Sequence, residues 1–304
     1  LKKNIKLGTH GSVNSWIGED QGFEWGSGFS IASYKNKLNW QLSTGISQPT
    51  WRDDLFLVRT VGNEVYDQTS REPYDPDNFR VSGNMDYYIS EHHSIGIGGS
   101  FNGRNSTRIV TNETIISNDV SSNKLFSENS FDRERNNFNF NPYYEYKTDT
   151  DKLIIDFNFV DFKDNTTNTL YGLENSTIPF TDRRYIQDGN YSIKTYRADY
   201  SKSFNDHLKL QFGTRYADVS TDNDLASLLD NSGEFDLIQE ESSRFLIKES
   251  IFALYSKMNI TKGKWAFSGG LRYENSNTDG TSIFIEDGAI KTEVKKRPIK
   301  KIFP

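Results

Sequence analysis

Leu38-Asn39-Trp40-Gln41-Leu42-Ser43-Thr44-Gly45-Ile46-Ser47 alternates apolar and polar residues without a break. Leu38, Trp40, Leu42, Thr44 and Ile46 share one face of an extended chain, and Asn39, Gln41, Ser43, Gly45 and Ser47 share the other. A period of two predicts a strand with one apolar face. The stretch leaves a short turn, Tyr34-Lys35-Asn36-Lys37. Similar turns recur at a spacing of about 57 residues, a fixed period that marks a repeated architecture. They are Ser90-Glu91-His92-His93, Thr148-Asp149-Thr150-Asp151-Lys152, Phe204-Asn205-Asp206-His207 and Thr261-Lys262-Gly263-Lys264.

Alternation returns after each turn. Ile95, Ile97, Gly99 and Phe101 follow the second; Leu208, Leu210, Phe212, Thr214 and Tyr216 follow the fourth. Trp265, Phe267, Gly269, Leu271 and Tyr273 follow the fifth, opposite Ala266, Ser268, Gly270, Arg272 and Glu274. The strands entering the turns are less regular. Pro142 interrupts Phe138, Phe140, Tyr144 and Tyr146 and predicts a bulge, because proline removes a ladder donor. Ile251 and Tyr255 blur the alternation of Phe252, Leu254 and Met258. About eleven strands result on this criterion. The polar segments 48–78, 103–130, 163–190, 218–244 and 275–292 read as long loops, all on one side, whereas the connection at Ile17–Gly22 is short. Short turns on one side and long loops on the other describe an antiparallel transmembrane β-barrel of the bacterial outer membrane.

Composition agrees. The 304 residues are 34% hydrophobic, low for a soluble domain, yet 14% aromatic, high for a disordered one. A barrel needs apolar residues only at alternate positions. Tyr34, Trp40, Tyr88, Tyr144, Tyr200, Phe204 and Trp265 gather near the short turns, as an interfacial girdle would. There is no cysteine, so thiolate metal sites and cysteine nucleophiles are excluded. A net charge of −6 gives no footprint for nucleic acid.

Tyr255 to Glu274, with Lys262-Gly263-Lys264-Trp265 and Gly270-Leu271-Arg272-Tyr273-Glu274, resembles the barrels of TonB-dependent outer-membrane receptors, in particular the outer membrane protein β-barrel family. Gly213-Thr214-Arg215-Tyr216 is a weaker copy, and Leu1-Lys2-Lys3-Asn4 and Ile302-Phe303-Pro304 are similar to internal landmarks of such barrels. The resemblance implies a 22-stranded parent holding an N-terminal plug, which imports a metal chelate, cobalamin-like compound, glycan or peptide with energy from a TonB complex. Outer-membrane lipid, the plug, TonB and a surface lipoprotein are the implied partners; no cofactor is expected. This chain has no plug or TonB box and supplies about half the strands. Residues 293–301 carry Lys295, Lys296, Arg297, Lys300 and Lys301 on both faces, so no complete spanning strand is expected there. A lipid-facing Lys or Arg costs roughly 2–4 kcal/mol at the bilayer midplane. The chain therefore reads as part of a barrel, residues 1–304 forming one partial domain.

Candidate ligand-binding residues are lumen charges and aromatic or charged loop residues. The lumen set is Arg80, Asp86, Glu145, Asp156, Lys209, Arg215, Arg272 and Glu274; the loop set centres on Trp51, Arg71 and Arg183. Inward charges are also what any water-filled lumen requires. Asp75-Pro76-Asp77 and Asp222-Asn223-Asp224 lack the spacing of an EF-hand, and His92-His93 lacks a third ligand. No metal site and no catalytic residue is assigned, since His92, His93 and His207 lie at turns on the periplasmic side. A plugless porin-like barrel of about 12 to 16 strands and a secreted soluble β-rich binding protein are the alternatives.

Overall fold

The computed structural model describes residues 8–303 except Gln21 and Ser176. The landmarks at Leu1–Asn4 and Pro304 lie outside the described residues. Every strand belongs to one antiparallel sheet of fifteen. In chain order these are β1 (Gly8–Glu19), β2 (Phe23–Lys35), β3 (Leu38–Gln48), β4 (Trp51–Val61), β5 (Glu64–Tyr74), β6 (Asp77–Tyr88), β7 (His93–Ser117) and β8 (Ser122–Lys147). There follow β9 (Asp151–Glu174), β10 (Ile178–Asn205), β11 (Leu208–Asn231), β12 (Glu234–Leu237), β13 (Ser243–Lys262), β14 (Trp265–Glu286) and β15 (Ala289–Phe303). Twelve of them form the main path, β1-β2-β3-β6-β7-β8-β9-β10-β11-β13-β14-β15. No ladder joins β15 to β1 among the described residues, and a 22-stranded barrel is not seen.

All five short turns fall where the period places them. Positive φ at Asn36 (48°) and Gly263 (59°) suits the first and last to tight hairpin turns. The long loops, in contrast, are largely strand. β7, β8, β9 and β10 run for 25, 26, 24 and 28 residues, whereas about 9–11 suffice to cross a bilayer. Segment 48–78 is the hairpin β4–β5, and 275–292 is the top of β14 turning into β15 at Asp287-Gly288. Polar residues on both faces hide a strand from any test based on alternation.

The register shows which face is which. Leu38, Tyr87, Ile95, Tyr144, Ile155, Ala198, Thr214, Leu254 and Tyr273 are successive partners across nine strands. One step along, Asn39, Asp86, Gly96, Tyr143, Asp156, Arg197, Arg215, Ala253 and Glu274 are partners on the other face. The apolar face covers no core: Phe212 is 52% and Leu271 62% exposed, and the buried apolar residues among those described are Ala32, Ala217 and Ala253. A soluble fold would bury such a face; a membrane wall turns it to lipid.

On strands such as β3, β11, β13 and β14 the apolar band ends after about nine residues, roughly 25 Å once the strands tilt near 40°. Above Tyr196, Tyr216 and Phe252, the outward row becomes Lys194, Asp218, Ser250 and Asn277. The wall continues past the band on the long-strand side, for residues 178–195 of β10 alone roughly 45 Å at the same rise and tilt. β15 pairs only with residues 272–286, so its basic residues flank β14 mostly above the band. That placement removes the conflict posed by its charges. Of the expected girdle, Trp40, Tyr144, Tyr200 and Trp265 share the apolar face, but Tyr34 and Tyr88 share the polar one with Asn39 and Asp86. Tyr34 there stacks on His10 at 5.6 Å.

Pro142 causes no bulge: the register of β8 on β9 is the same on both sides of it. The Phe157 carbonyl, which a residue other than proline would serve through its N–H, instead accepts the Asn141 side-chain amide at 2.8 Å. Asn141→Ala should therefore cost about 1 kcal/mol, the net worth of one hydrogen bond. The same substitution beside Pro142→Ala should cost close to nothing, because the restored N–H takes over. A double-mutant cycle of urea unfolding in lipid vesicles measures the difference.

Candidate functional site

The polar face holds three groups of side chains. Near the short turns, two identical clamps cross it. Tyr143 on β8 lies over Gly96 on β7 and donates its hydroxyl to Asp86 on β6 at 2.6 Å. Tyr255 on β13 lies over Gly213 on β11 and donates to Asp199 on β10. The Asp-to-Tyr separations are 57 and 56 residues, the period of the turns. Each tyrosine spans two strands because the strand between offers only a hydrogen atom at that position.

Beside the second clamp runs a chain of charge. Arg197 pairs with Asp156 at 2.7 Å and Asp199 at 3.4 Å. Arg272 pairs with Glu274 at 2.7 Å and its guanidinium lies 5.6 Å from the Tyr255 ring centre. Asp86, Asp156, Arg272 and Glu274 are thus partnered within the wall. Arg215 sits between Arg197 and Ala253, and no carboxylate pairs with it among the described residues. Glu145 is bound to Lys152 at 2.8 Å, and Lys209 stands in the same row position as Ser203.

Higher up, at the top of the apolar band, the same face opens into a concavity of about 490 Å³. Arg80 from β6, Arg104 from β7 and Arg135 from β8 line it, with Asn14, Asn102 and Asn137. Trp16 and Phe162 supply rings. Asp164 draws two guanidinium groups from β8, those of Arg133 and Arg135, the latter at 3.2 Å. The hydrogen bond from Arg133 holds the Asp164 carboxyl below the usual range, against the opposing effect of burial; the charges of Arg133 and Arg135 add to it. A carboxyl lowered in the folded state stabilises it fully above the ordinary carboxylate value, about pH 4. That contribution is lost as pH falls through the lowered value. Asp164→Asn should therefore weaken the extramembrane wall at neutral pH and flatten its acid dependence below about pH 4. Limited proteolysis of intact protein in vesicles between pH 7 and pH 3 reads the change.

Trp51, at the foot of β4, stacks on Tyr74 at 5.6 Å, and the Arg104 guanidinium lies 5.9 Å and 5.2 Å from their ring centres. Trp51 and Arg80 therefore belong to one neighbourhood, joined through Arg104. Arg104, Arg133 and Arg135 escape sequence reading because they lie in segments without alternation. Arg183 is elsewhere, high on β10, where it bonds Glu241 at 2.6 Å. Glu241 also accepts from Ser227 at 2.9 Å, and that bond, before Arg183, lowers its carboxyl. Arg71 pairs across to Asp54 on β4. Asp222 is held by Arg244 at 2.6 Å and Asp224 faces the same guanidinium at 4.0 Å, which accounts for that acidic pair without a cation. Asp77 accepts from Gln48 at 3.0 Å. His93 bonds the Tyr144 hydroxyl at 2.7 Å and lies 5.0 Å from the Tyr146 ring.

A profile of the outer membrane protein beta-barrel family matches residues 144–304, more than half of the chain. This chain belongs to that family. Its place is the bacterial outer membrane, its apolar face meets lipid and its polar face is the lumen. The soluble alternative is thereby set aside. No curated protein sequence matches the chain. Among solved structures, the outer membrane protease OmpT from Escherichia coli is 10% identical, over 88% of this barrel protein and 97% of OmpT, with a TM-score of 0.34. The toluene transporter TbuX from Ralstonia pickettii is 12% identical over 98% and 90%, with a TM-score of 0.29. The ferric yersiniabactin uptake receptor FyuA from Yersinia pestis is 6% identical over 98% and 62%, with a TM-score of 0.25. Likeness at this level selects no function among a protease, a transporter and a receptor for the family member described here.

Proposed function

We propose that this barrel is part of a ligand-importing receptor of the TonB-dependent kind. Its outer vestibule captures a scarce solute and a plug, pulled by TonB, releases it inward. One observation supports this reading above the others. The wall rises far above the membrane and carries, at the level where vestibule meets bilayer, an inward concavity lined by arginine, asparagine and aromatic side chains. A pocket of a few hundred Å³ with convergent polar groups is the form a solute site takes. The Gly270–Glu274 motif points the same way. In this reading the wall binds and orients; it breaks no bond.

The competing reading is a plugless channel. Planar-bilayer recording of the intact gene product separates the two. A plugged receptor gives no steady conductance, and its solute uptake in cells stops when the inner-membrane energy supply to TonB is removed. A steady open current, with uptake indifferent to TonB, would reject the receptor reading.

A further inference from the structure

The lumen concavity has an excess of positive charge that its own wall does not neutralise. Arg104 on β7 stands directly opposite Arg135 on β8, and Arg80 on β6 is one diagonal step from Arg104, since Asn78 is the partner of Arg104 and Asn102 that of Arg80. Like charges directly opposite in a sheet destabilise it. Arg135 shares Asp164 with Arg133. Arg80 and Arg104 have no carboxylate partner among the described residues. Arg104 is held instead by the Trp51 and Tyr74 rings, a contact that fixes the guanidinium and leaves its charge intact. Its buried Nε has no acceptor. A bound anion would relieve all of this.

The rest of the lining narrows the anion. Asn102 and Asn137 flank the arginines, and Asn14 faces them from β1. Their amides form no side-chain hydrogen bond among the described residues, so each keeps donors and an acceptor for a hydroxylated ligand. Trp16 and Phe162 offer flat apolar surfaces on the two flanks of the same space. Gly28 and Gly45 keep the floor low; a methyl on Gly28 would meet the Asn14 side chain at 2.7 Å. Guanidinium for charge, amides for hydroxyls and rings for the face of a pyranose make one coherent set.

We infer that this concavity binds an anionic saccharide, a sugar acid or a sugar phosphate, through Arg80 and Arg104. The inference rests on the receptor reading for its biological use, but not for the binding itself. The test is calorimetric titration of the intact gene product in detergent micelles with glucuronate, glucose 6-phosphate, glucose and inorganic phosphate. Both charged sugars should bind saturably. R80Q and R104Q should each weaken them at least tenfold, with the circular dichroism of the strands unchanged. Trp16→Ala should weaken both sugars and leave inorganic phosphate as it was. Absence of saturable heat with either charged sugar, as when a segment of the same polypeptide fills the space, overturns the inference. So does equal affinity for glucose, or indifference to both arginine substitutions. Binding that persists where uptake proves independent of TonB would reject the receptor reading alone.

Discussion

Gly213→Ala should destabilise the barrel by about 3–5 kcal/mol, combining overpacking of 1–3 kcal/mol with loss of a hydrogen bond to a charged acceptor, 1.5–3 kcal/mol. A methyl at this position would fall inside the Tyr255 ring and against the Asp199 carboxylate. The ring cannot slide away within the wall, because Gly213 is paired to both neighbours, Asp199 on one side and Tyr255 on the other. Moving it breaks the tyrosine–aspartate bond and leaves the carboxylate beside Arg197 alone. Gly96→Ala should behave alike, since its methyl would meet the Tyr143 ring and stand 2.7 Å from Asp86. The mechanism makes a further demand. In a Tyr255→Ala background the same Gly213→Ala change should cost less than about 1 kcal/mol, since only the Asp199 carboxylate, freed from the tyrosine, remains to turn aside. Reversible urea unfolding in lipid vesicles gives both numbers. A small effect of Gly213→Ala in the otherwise unaltered barrel would remove the clamp from the account of its stability.

Phe212→Arg should cost about 2–4 kcal/mol, the expected penalty for a cation facing hydrocarbon at mid-bilayer. Phe212 lies in the outward row Leu153, Tyr200, Phe212, Ser256, Leu271, midway up the apolar band. Leu246 has the same outward orientation on β13 but pairs with Asp222 and Thr281, well above that band. Leu246→Arg should cost no more than about 1 kcal/mol, as expected for an outward position away from the hydrocarbon. Folding efficiency into vesicles of defined thickness compares the two. Equal penalties would mean that the boundary drawn at Tyr196, Tyr216 and Phe252 is misplaced.

Within the membrane the fold was legible in the sequence because hydrocarbon on one side and polar lumen on the other force a period of two. The five turns, the apolar row of β3, β11 and β14 and the face of Arg80, Asp86, Arg215, Arg272 and Glu274 all follow from that period. Even the blurred strand β13 makes sense: Ile251 packs inward beside the buried Ala217 and Ser276, and Tyr255 reaches inward as a clamp. Above the membrane both faces meet water, so nothing imposes alternation and the strands read as loops. A second signal was present there. Gly62-Asn63, Ser232-Gly233 and Asp287-Gly288 are two-residue turns with positive φ, at 62°, at 62° and 99°, and at 53° and 73°, and glycine pairs of this kind announce hairpins. The site was half legible. Alternation marks Arg80 and a mixture of aromatic and charged residues marks Trp51, whereas Arg104, the residue that links them, carries no mark until β5 is laid against β7.

Pro49 and Pro76 interrupt β3–β4 and β5–β6 at the junctions between the membrane sheet and the β4–β5 hairpin. Past those junctions, among the described residues, one backbone ladder ties the hairpin to the wall, β5 on β7, with side-chain contacts such as Arg104 on Trp51 and Tyr74, and β4 pairs with β5 alone. It should consequently open as a separate cooperative unit, tied to the wall as a flap is tied to a box. Amide hydrogens of residues 51–74 should exchange through a local opening that leaves β3 and β6 protected, so this corner of the molecule can yield without the membrane-embedded part unfolding.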